Sequence, residues 1–274
     1  MNVLVTGKGG QLAWELEKLA PKNVKLFCAS KAELDITDQQ AVESVIANFK
    51  ADVVINAAAY TAVDKAETDQ EIAYAVNEFG SENLALACKK NQVRLMHVST
   101  DFVFSGDKAT PYQPHDKPNP QGVYGASKLA GECEIRDILK DEALIVRTAW
   151  VYSVYGSNFV KTMLRLMKER SELGVVYDQI GTPTWAQGLA EWLWAIAFKP
   201  QVTGVYHWTD AGVASWYDFA VAVQELGIEK KLINNQIPIR PIPNSAYPSP
   251  AKRPSFSVID KSSAEEVAEL PTSH

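Results

Sequence analysis

The sequence predicts an α/β protein: a doubly wound parallel sheet followed by a small C-terminal α/β lobe. Three observations predict it. In the first half, short runs that are apolar throughout alternate with segments whose apolar residues recur at helical spacing, as strands buried on both faces by helices require. The first apolar run ends in a glycine turn that opens a helix. After Arg147 the alternation loosens into shorter elements and proline-containing stretches.

Composition narrows the class. The 274 residues are 46% hydrophobic, enough for one large domain or a domain plus a lobe. A net charge of −6, with no long run of either sign, lacks the basic footprint of a nucleic-acid partner. No stretch approaches the roughly 20 apolar residues of a membrane span. Asn2-Val3-Leu4-Val5-Thr6-Gly7 reads as a first strand already entering its turn rather than as a leader. Cys28, Cys88 and Cys133 are far apart, which fits structural thiols in a reducing cytoplasm. The histidines (His97, His115, His207, His274) are scattered, so no structural metal is expected.

The elements follow in order. Asn2 to Val5 is strand, and Leu12, Leu16 and Leu19 mark a helix that ends at Pro21. The turn between them, Gly7-x-x-Gly10-x-x-Ala13, offers the free N–H groups of Gln11 and Leu12 and the positive end of a helix to a dinucleotide pyrophosphate. Val24 to Ala29 is a second strand ending at Ser30-Lys31. A hydroxyl and a cation there, in place of an acid, favour NADPH and leave NADH open. Asp38 or Thr37 caps a helix carrying Val42, Val45, Ile46 and Phe49. Asp52 to Ala59 is a buried strand ending in Ala57, Ala58 and Ala59, small enough for a flat cofactor to approach the backbone. A helix is expected from about Glu71 to Lys90, with Asn77 as a satisfied polar residue on it. Arg94 to Val98 is strand and delivers Thr100 to the crevice at the carboxyl end of the sheet.

Tyr124 and Lys128 follow, four apart on a segment that reads as helix, and so share one face. An ammonium one turn from a phenol is expected to lower its pKa toward a working range and make a proton-transfer pair. Ala143 to Arg147 is the next strand. Beyond it, helices are expected over 158–173 and 185–198, the second with its aromatics mainly in the core. A strand is expected at 204–208, and a helix with a capping-box-like Ser215 and Asp218. Lys252 and Arg253, in a proline- and serine-rich tail, suit a diphosphate.

Taken together, Thr-Gly-x-x-Gly-x-x-Ala at 6–13, Ser-Thr-Asp at 99–101 and Tyr-x-x-x-Lys at 124–128 resemble the extended short-chain dehydrogenase/reductase superfamily, whose cofactor domain is a Rossmann fold. Longer stretches are similar to the dTDP-4-dehydrorhamnose reductase family: Asn-Ala-Ala-Ala-Tyr-Thr-Ala-Val-Asp-Lys-Ala-Glu at 56–67, Ser-Thr-Asp-Phe-Val-Phe at 99–104, Tyr-Gly-Ala-Ser-Lys-Leu-Ala-Gly-Glu at 124–132, Arg-Thr-Ala-Trp-Val-Tyr at 147–152 and Asp-Gln-Ile-Gly-Thr-Pro-Thr at 178–184. Phe102 departs from the family's common Tyr, and the family commonly runs on into one more helix.

The resemblance implies a Rossmann domain over 1–147, to which segments near 180–209 return, and a substrate lobe mainly over 148–274. It implies reduction of the C4 ketone of a dTDP-linked 4-keto-6-deoxyhexose by NADPH, giving dTDP-L-rhamnose. Tyr124 would be the acid, Lys128 would hold the nicotinamide ribose, and Thr100 would orient the carbonyl. Asp35 and Ile36 join the cofactor residues, and Thr61, Val63, Trp150, Asn158 and Arg253 the substrate residues. A homodimer, in some members linked through glutamates by a metal such as Mg2+, is part of the same implication. Glu15 is placed for it but reads as a solvated residue, and no metal is assigned. Two rivals share the fold: a nucleotide-sugar epimerase or dehydratase that regenerates its cofactor, and a non-catalytic NADP-binding regulatory subunit.

Overall fold

The computed structural model describes residues 1–272, so His274 lies outside the described residues. From the N-terminus, β1 (Asn2–Thr6) runs through the glycine turn into α1 (Gln11–Lys18), and β2 (Lys25–Ala29) leads to α2 (Gln39–Phe49). β3 (Val53–Asn56) is followed by the short helices α3 (Val63–Ala66) and α4 (Gln70–Tyr74), a π-helical turn at Ala75–Phe79 and α5 (Gly80–Asn91). Next come β4 (Arg94–Thr100), α6 (Val123–Leu139), β5 (Leu144–Thr148), β6 (Val151–Tyr152), α7 (Phe159–Glu169) and β7 (Leu173–Val176). The chain continues through β8 (Ile180–Gly181), β9 (Thr184–Trp185), α8 (Ala186–Ala197) and β10 (Gly204–His207). It closes with β11 (Ala214–Ser215), α9 (Trp216–Glu229), β12 (Ile239–Ile242) and α10 (Ser262–Ala268).

Six of these strands form one parallel sheet in the order β2-β1-β3-β4-β5-β10. This is the doubly wound fold that the sequence pattern predicts. β3 and β5 are buried at every position, as a strand covered on both faces must be. One face packs Leu34, Val42, Ile46, Leu84 and Ile135 beneath α2, α5 and α6. The other packs Leu16, Leu189, Trp192, Leu193 and Ala264 beneath α1, α8 and α10. Ala186–His207 therefore lies with the large sheet. A separate cluster, Met163, Met167, Val175, Ala220, Val223 and Ile233, joins α7, α9, β7 and β12 into the lobe. Winding reverses between β1 and β3, and this opens a crevice at their carboxyl ends. No helix among the described residues is long and apolar enough to cross a membrane.

Local chemistry sets the boundaries. Asp38 caps α2 by accepting from the N–H groups of Gln40 and Ala41. Ser215 and Asp218 form a reciprocal capping box at the start of α9. The helix expected over 71–90 is not uniform: its turn at 75–79 widens to π geometry. Asn77 stands in this turn and is satisfied as expected, though by a loop and a helix rather than a strand. Its Oδ1 accepts from Tyr60 N–H at 2.9 Å, and its Nδ2 donates to Tyr60 O at 3.1 Å and Ser127 Oγ at 3.0 Å. Two further boundaries move. β4 continues to Thr100, because Ser99 and Thr100 pair with Arg147 and Thr148 of β5. The helix expected over 158–173 ends at Glu169, because Leu173 opens β7 beside β12. Trp185 is half exposed at the foot of α8, whereas Trp192 and Trp194 are buried.

α6 packs closely on the π turn and on the sheet. A Cβ on Gly131 would lie 2.1 Å from the Asn77 carbonyl oxygen. Further along, Arg147 clasps Glu132 through Nη2–Oε2 at 2.6 Å and Nε–Oε1 at 2.9 Å, and Ser99 Oγ donates to Oε1 at 2.5 Å. All three side chains are buried. Gly131→Ala should push α6 off the π turn and cost about 1–3 kcal/mol as an overpacked core. Urea unfolding reads this as a lowered midpoint; an unchanged midpoint would contradict so close a contact.

Candidate active site

A cleft of about 740 Å3 lies along the carboxyl ends of β1, β3, β4 and β5. Its floor begins at the glycine turn. Gly7 has φ +83°, and a Cβ there would sit 2.8 Å from the Ala57–Ala58 backbone, so only glycine lets β1 and β3 close at this point. Gly10 caps α1 without a side-chain bond, which leaves the first N–H groups of the helix free for an anion. Gly7, Gly10, Gln11, Leu12, Ala57 and Ala59 all line the cleft. The residues present fit a dinucleotide.

Thr100, Tyr124 and Lys128 meet deeper in the cleft. Thr100 arrives on the end of β4, where its hydroxyl accepts from Phe102 N–H at 3.2 Å and donates to Asp101 at 3.1 Å. Tyr124 and Lys128 share the inner face of α6 as their spacing predicts, and Phe102 meets the Tyr124 ring edge-on at 5.5 Å. Lys128 is buried and donates to Val98 O at 2.8 Å, with His97 Nε2 at 3.2 Å.

The electrostatics differ from the expectation. Burial pushes the Tyr124 phenol up to about 12, with the Asp101 carboxylate adding to the rise and the Thr100 hydrogen bond opposing it. Lys128 does not bring the phenol down. Its own pKa falls to about 8 through burial, against the pull of Glu132. Loss of solvent outweighs charge–charge help at this depth.

The roof comes from the lobe. Trp150 adopts φ +46°, a strained conformation for an aromatic residue. It stacks on Trp216 at 3.5 Å, and Gly181 leaves its ring room, since a Cβ there would lie 2.7 Å away. Arg253 reaches the cleft from the tail and is tethered by Asp64 at 2.7 Å. That contact holds the Asp64 carboxyl down at about 2.

The sequence as a whole matches a known family. Residues 1–274 fit the family described as RmlD substrate binding domain. The chain belongs to the RmlD family. It is 44% identical to a dTDP-4-dehydrorhamnose reductase of Aggregatibacter actinomycetemcomitans, over 94% of this chain and 90% of that protein. It is 40% identical to the Escherichia coli dTDP-4-dehydrorhamnose reductase, over 93% and 87% of the two chains. Among solved structures, the Bacillus anthracis dTDP-4-dehydrorhamnose reductase in complex with NADP superimposes with a TM-score of 0.93 at 35% identity, covering 99% of this chain and 94% of that one.

Within this RmlD chain, Thr61, Val63, Trp150 and Arg253 also line the cleft. Other expected site residues do not. Asn158 caps α7 and donates to Gln11 Oε1 at 2.9 Å, so it supports the turn from behind. Ala58 holds the same turn through its N–H, which donates to Asn56 Oδ1 at 3.2 Å. Asp35 accepts from Thr37, and Ile36 is buried under Gly80. Ser30 and Lys31 are at the end of β2, but Glu33 has taken Ser30: its carboxylate accepts from Ser30 N–H at 2.8 Å and Oγ at 2.6 Å. An acid therefore stands where the sequence shows a hydroxyl and a cation. Lys31 instead pairs with Asp35 at 3.7 Å.

Glu15 corrects a second expectation. It is fully buried, accepting from Ser153 Oγ at 2.8 Å, because the loop after β6 folds over α1. Cys133, unlike Cys28 and Cys88, is exposed. Sequence reasoning missed His97, Asp101, Thr148 and Trp216. The first three sit in or beside the quoted motifs, while nothing local points Trp216 at Trp150.

Asp101 is buried, and desolvation raises its pKa from 3.8 to about 6. The folded chain keeps this proton through a window where the unfolded chain has lost it, so the contribution to stability falls as pH rises from about 4 to 6. Asp101→Asn should remove a loss on the order of 3 kcal/mol. Urea unfolding of both proteins at pH 4 and pH 7 measures it: the variant should gain on the wild type at pH 7, and equal slopes would contradict the prediction.

Proposed function

We propose that this chain reduces the C4 ketone of dTDP-4-dehydro-L-rhamnose to dTDP-L-rhamnose with NADPH. The observation that carries the reading is the convergence of Thr100, Tyr124 and Lys128 on one cleft that begins at a dinucleotide turn. The cofactor, when bound, supplies the hydride. Gly7, Gly10 and the N-terminus of α1 would hold its pyrophosphate, and Lys128 its nicotinamide ribose.

The remaining chemistry belongs to the chain. The Tyr124 phenol, pushed up to about 12, keeps its proton at neutral pH. It is then a donor to the carbonyl oxygen as negative charge develops, because an alkoxide is a stronger base than a phenolate. The Thr100 hydroxyl orients the same oxygen. The Trp150–Trp216 stack closes the sugar side and excludes water. Arg253 stands between the cleft and an apolar pocket of about 240 Å3 lined by Phe159, Met163, Val175 and Tyr247. This arrangement suits a diphosphate at the guanidinium and a nucleobase in the pocket.

Loss of reduced-nicotinamide absorbance with dTDP-4-dehydro-β-L-rhamnose tests the reading. Substrate-dependent oxidation of NADPH is expected. NADPH binding without oxidation would overturn it in favour of a regulatory subunit or another keto-sugar. Tyr124→Phe should lower kcat by about 10²–10⁴-fold, with NADPH still bound; near-normal turnover would remove Tyr124 as the acid. Glu33 holds Ser30 at the end of β2, where this fold would place the adenosine ribose and a carboxylate would oppose a 2′-phosphate. Glu33→Ala should therefore raise the preference for NADPH over NADH by roughly fivefold. The ratio of kcat/KM for the two cofactors reports it, and an unchanged ratio would place Glu33 away from the ribose.

A further inference from the structure

Behind Lys128 runs a buried chain of polar groups that the catalytic reading does not use. Asn56, at the end of β3, is 1% exposed, and His97, in the middle of β4, is 0% exposed. Asn56 Oδ1 accepts from Thr6 Oγ1 at 2.7 Å and from the backbone N–H of Ala58 at 3.2 Å. Asn56 Nδ2 lies 3.0 Å from His97 Nδ1, and His97 Nε2 lies 3.2 Å from Lys128 Nζ.

Counting protons along this chain fixes each partner. A backbone N–H can only donate, so Ala58 anchors Asn56 with its oxygen toward β1 and its amide nitrogen toward the imidazole. Asn56 Nδ2 then donates, and His97 Nδ1 must accept. Burial drives the imidazole pKa well below its ordinary value, so the ring is neutral and carries one proton. That proton sits on Nε2, which points at Lys128 Nζ. A donor facing Nζ needs a lone pair there, and an ammonium has none.

We propose that His97 is a positioning residue for Lys128. Held by Asn56 as the Nε2–H tautomer, it donates to Nζ and favours the neutral amine of Lys128 over the ammonium in the cofactor-free protein. Val98 O accepts one Nζ hydrogen, which leaves the other free to face the cleft. The remaining charged groups around Lys128 act in known directions. Glu132, on its own helix, pulls its pKa upward but is itself clasped by Arg147 of β5 and Ser99 of β4, and Tyr124 keeps its proton. Burial lowers the Lys128 pKa to about 8, in the direction that a neutral amine requires.

The arrangement ties the glycine turn to the catalytic helix. Ala58 and Thr6 flank Gly7, so the turn fixes Asn56, Asn56 fixes the His97 tautomer, and the tautomer fixes what Lys128 can accept. Binding of an anionic dinucleotide at the turn then favours the ammonium, and Lys128 takes up a proton as the site fills. Consequences for turnover rest on the reduction proposed above. The protonation states do not, and they are read without substrate.

Long-range ¹H–¹⁵N spectra of imidazole-labelled, cofactor-free protein at pH 8.5 should show His97 protonated at Nε2 and bare at Nδ1. A ring protonated at Nδ1 would overturn the proposal. The ¹³Cε resonance of Lys128, followed from pH 6 to 11, gives its titration midpoint. Asn56→Asp presents an acceptor to Nδ1, so it should invert the tautomer and move the midpoint up by one unit or more. His97→Met, which removes the donor while keeping an apolar wall, should also raise the midpoint. An unchanged or lower midpoint in a variant that still binds NADPH would overturn the proposal. If either variant fails to fold, the wild-type tautomer and midpoint still decide it. A loss of turnover with these spectroscopic results intact would count against the proposed reduction and not against this chain.

Discussion

The site depends on the buried Glu132–Arg147 pair. Glu132 is two turns along α6 from Tyr124 and one from Lys128, and Arg147 is on β5 in the centre of the sheet. Their bidentate contact, closed by Ser99, sets the rotation and height of the helix above the strands. A buried ion pair is not a cheap source of stability, because desolvating both charges cancels most of the attraction. Its value here is geometric. An apolar pair would let α6 slide or roll, whereas a fork meeting a carboxylate has few satisfactory positions. Gly131 lets the helix seat against the π turn, and Asn77 ties that turn to Ser127 and Tyr60. Tyr124 and Lys128 are held from both sides.

Burial is the second constraint. It raises the Tyr124 phenol and lowers the Lys128 amine, so both side chains carry less charge than they would in water. A neutral phenol is the useful form for a proton donor. The same dry environment gives weight to each hydrogen bond behind the site, since an unmatched donor or acceptor there has no water to turn to. The roof is built on strain: Trp150, in a left-handed conformation, is held between Gly181 and Trp216.

Most of the fold and the centre of the site were legible in the sequence, and the reasons are local. Strands covered on both faces must be apolar throughout, and a helix repeats its buried face every three or four residues, so β1 to β5 and their helices declare themselves. Tyr124 and Lys128 are one helical turn apart, which places both on one face without reference to anything else. Thr100 follows from its position at a strand end. What was misread depends on partners distant in sequence. Glu15 reads as a surface residue until the Ser153 loop covers it. Ser30 and Lys31 read as a phosphate-friendly pair until Glu33 folds back onto Ser30. Asn158 reads as a substrate residue by resemblance, but it caps α7 and donates to Gln11.

The sequence by itself determined the alternation of strands and helices in the first half, the glycine turn and the Tyr124–Lys128 pair, because each is set by side chains within a few residues of one another. Only the tertiary structure decided the charge states and the walls of the cleft. A pKa depends on how much water the fold removes, and that is fixed by every element packed above the group. Walls such as Trp150 on Trp216, or Asp64 on Arg253, join residues that are 66 and 189 positions apart. No local pattern encodes such a meeting; it is settled when the lobe closes on the sheet.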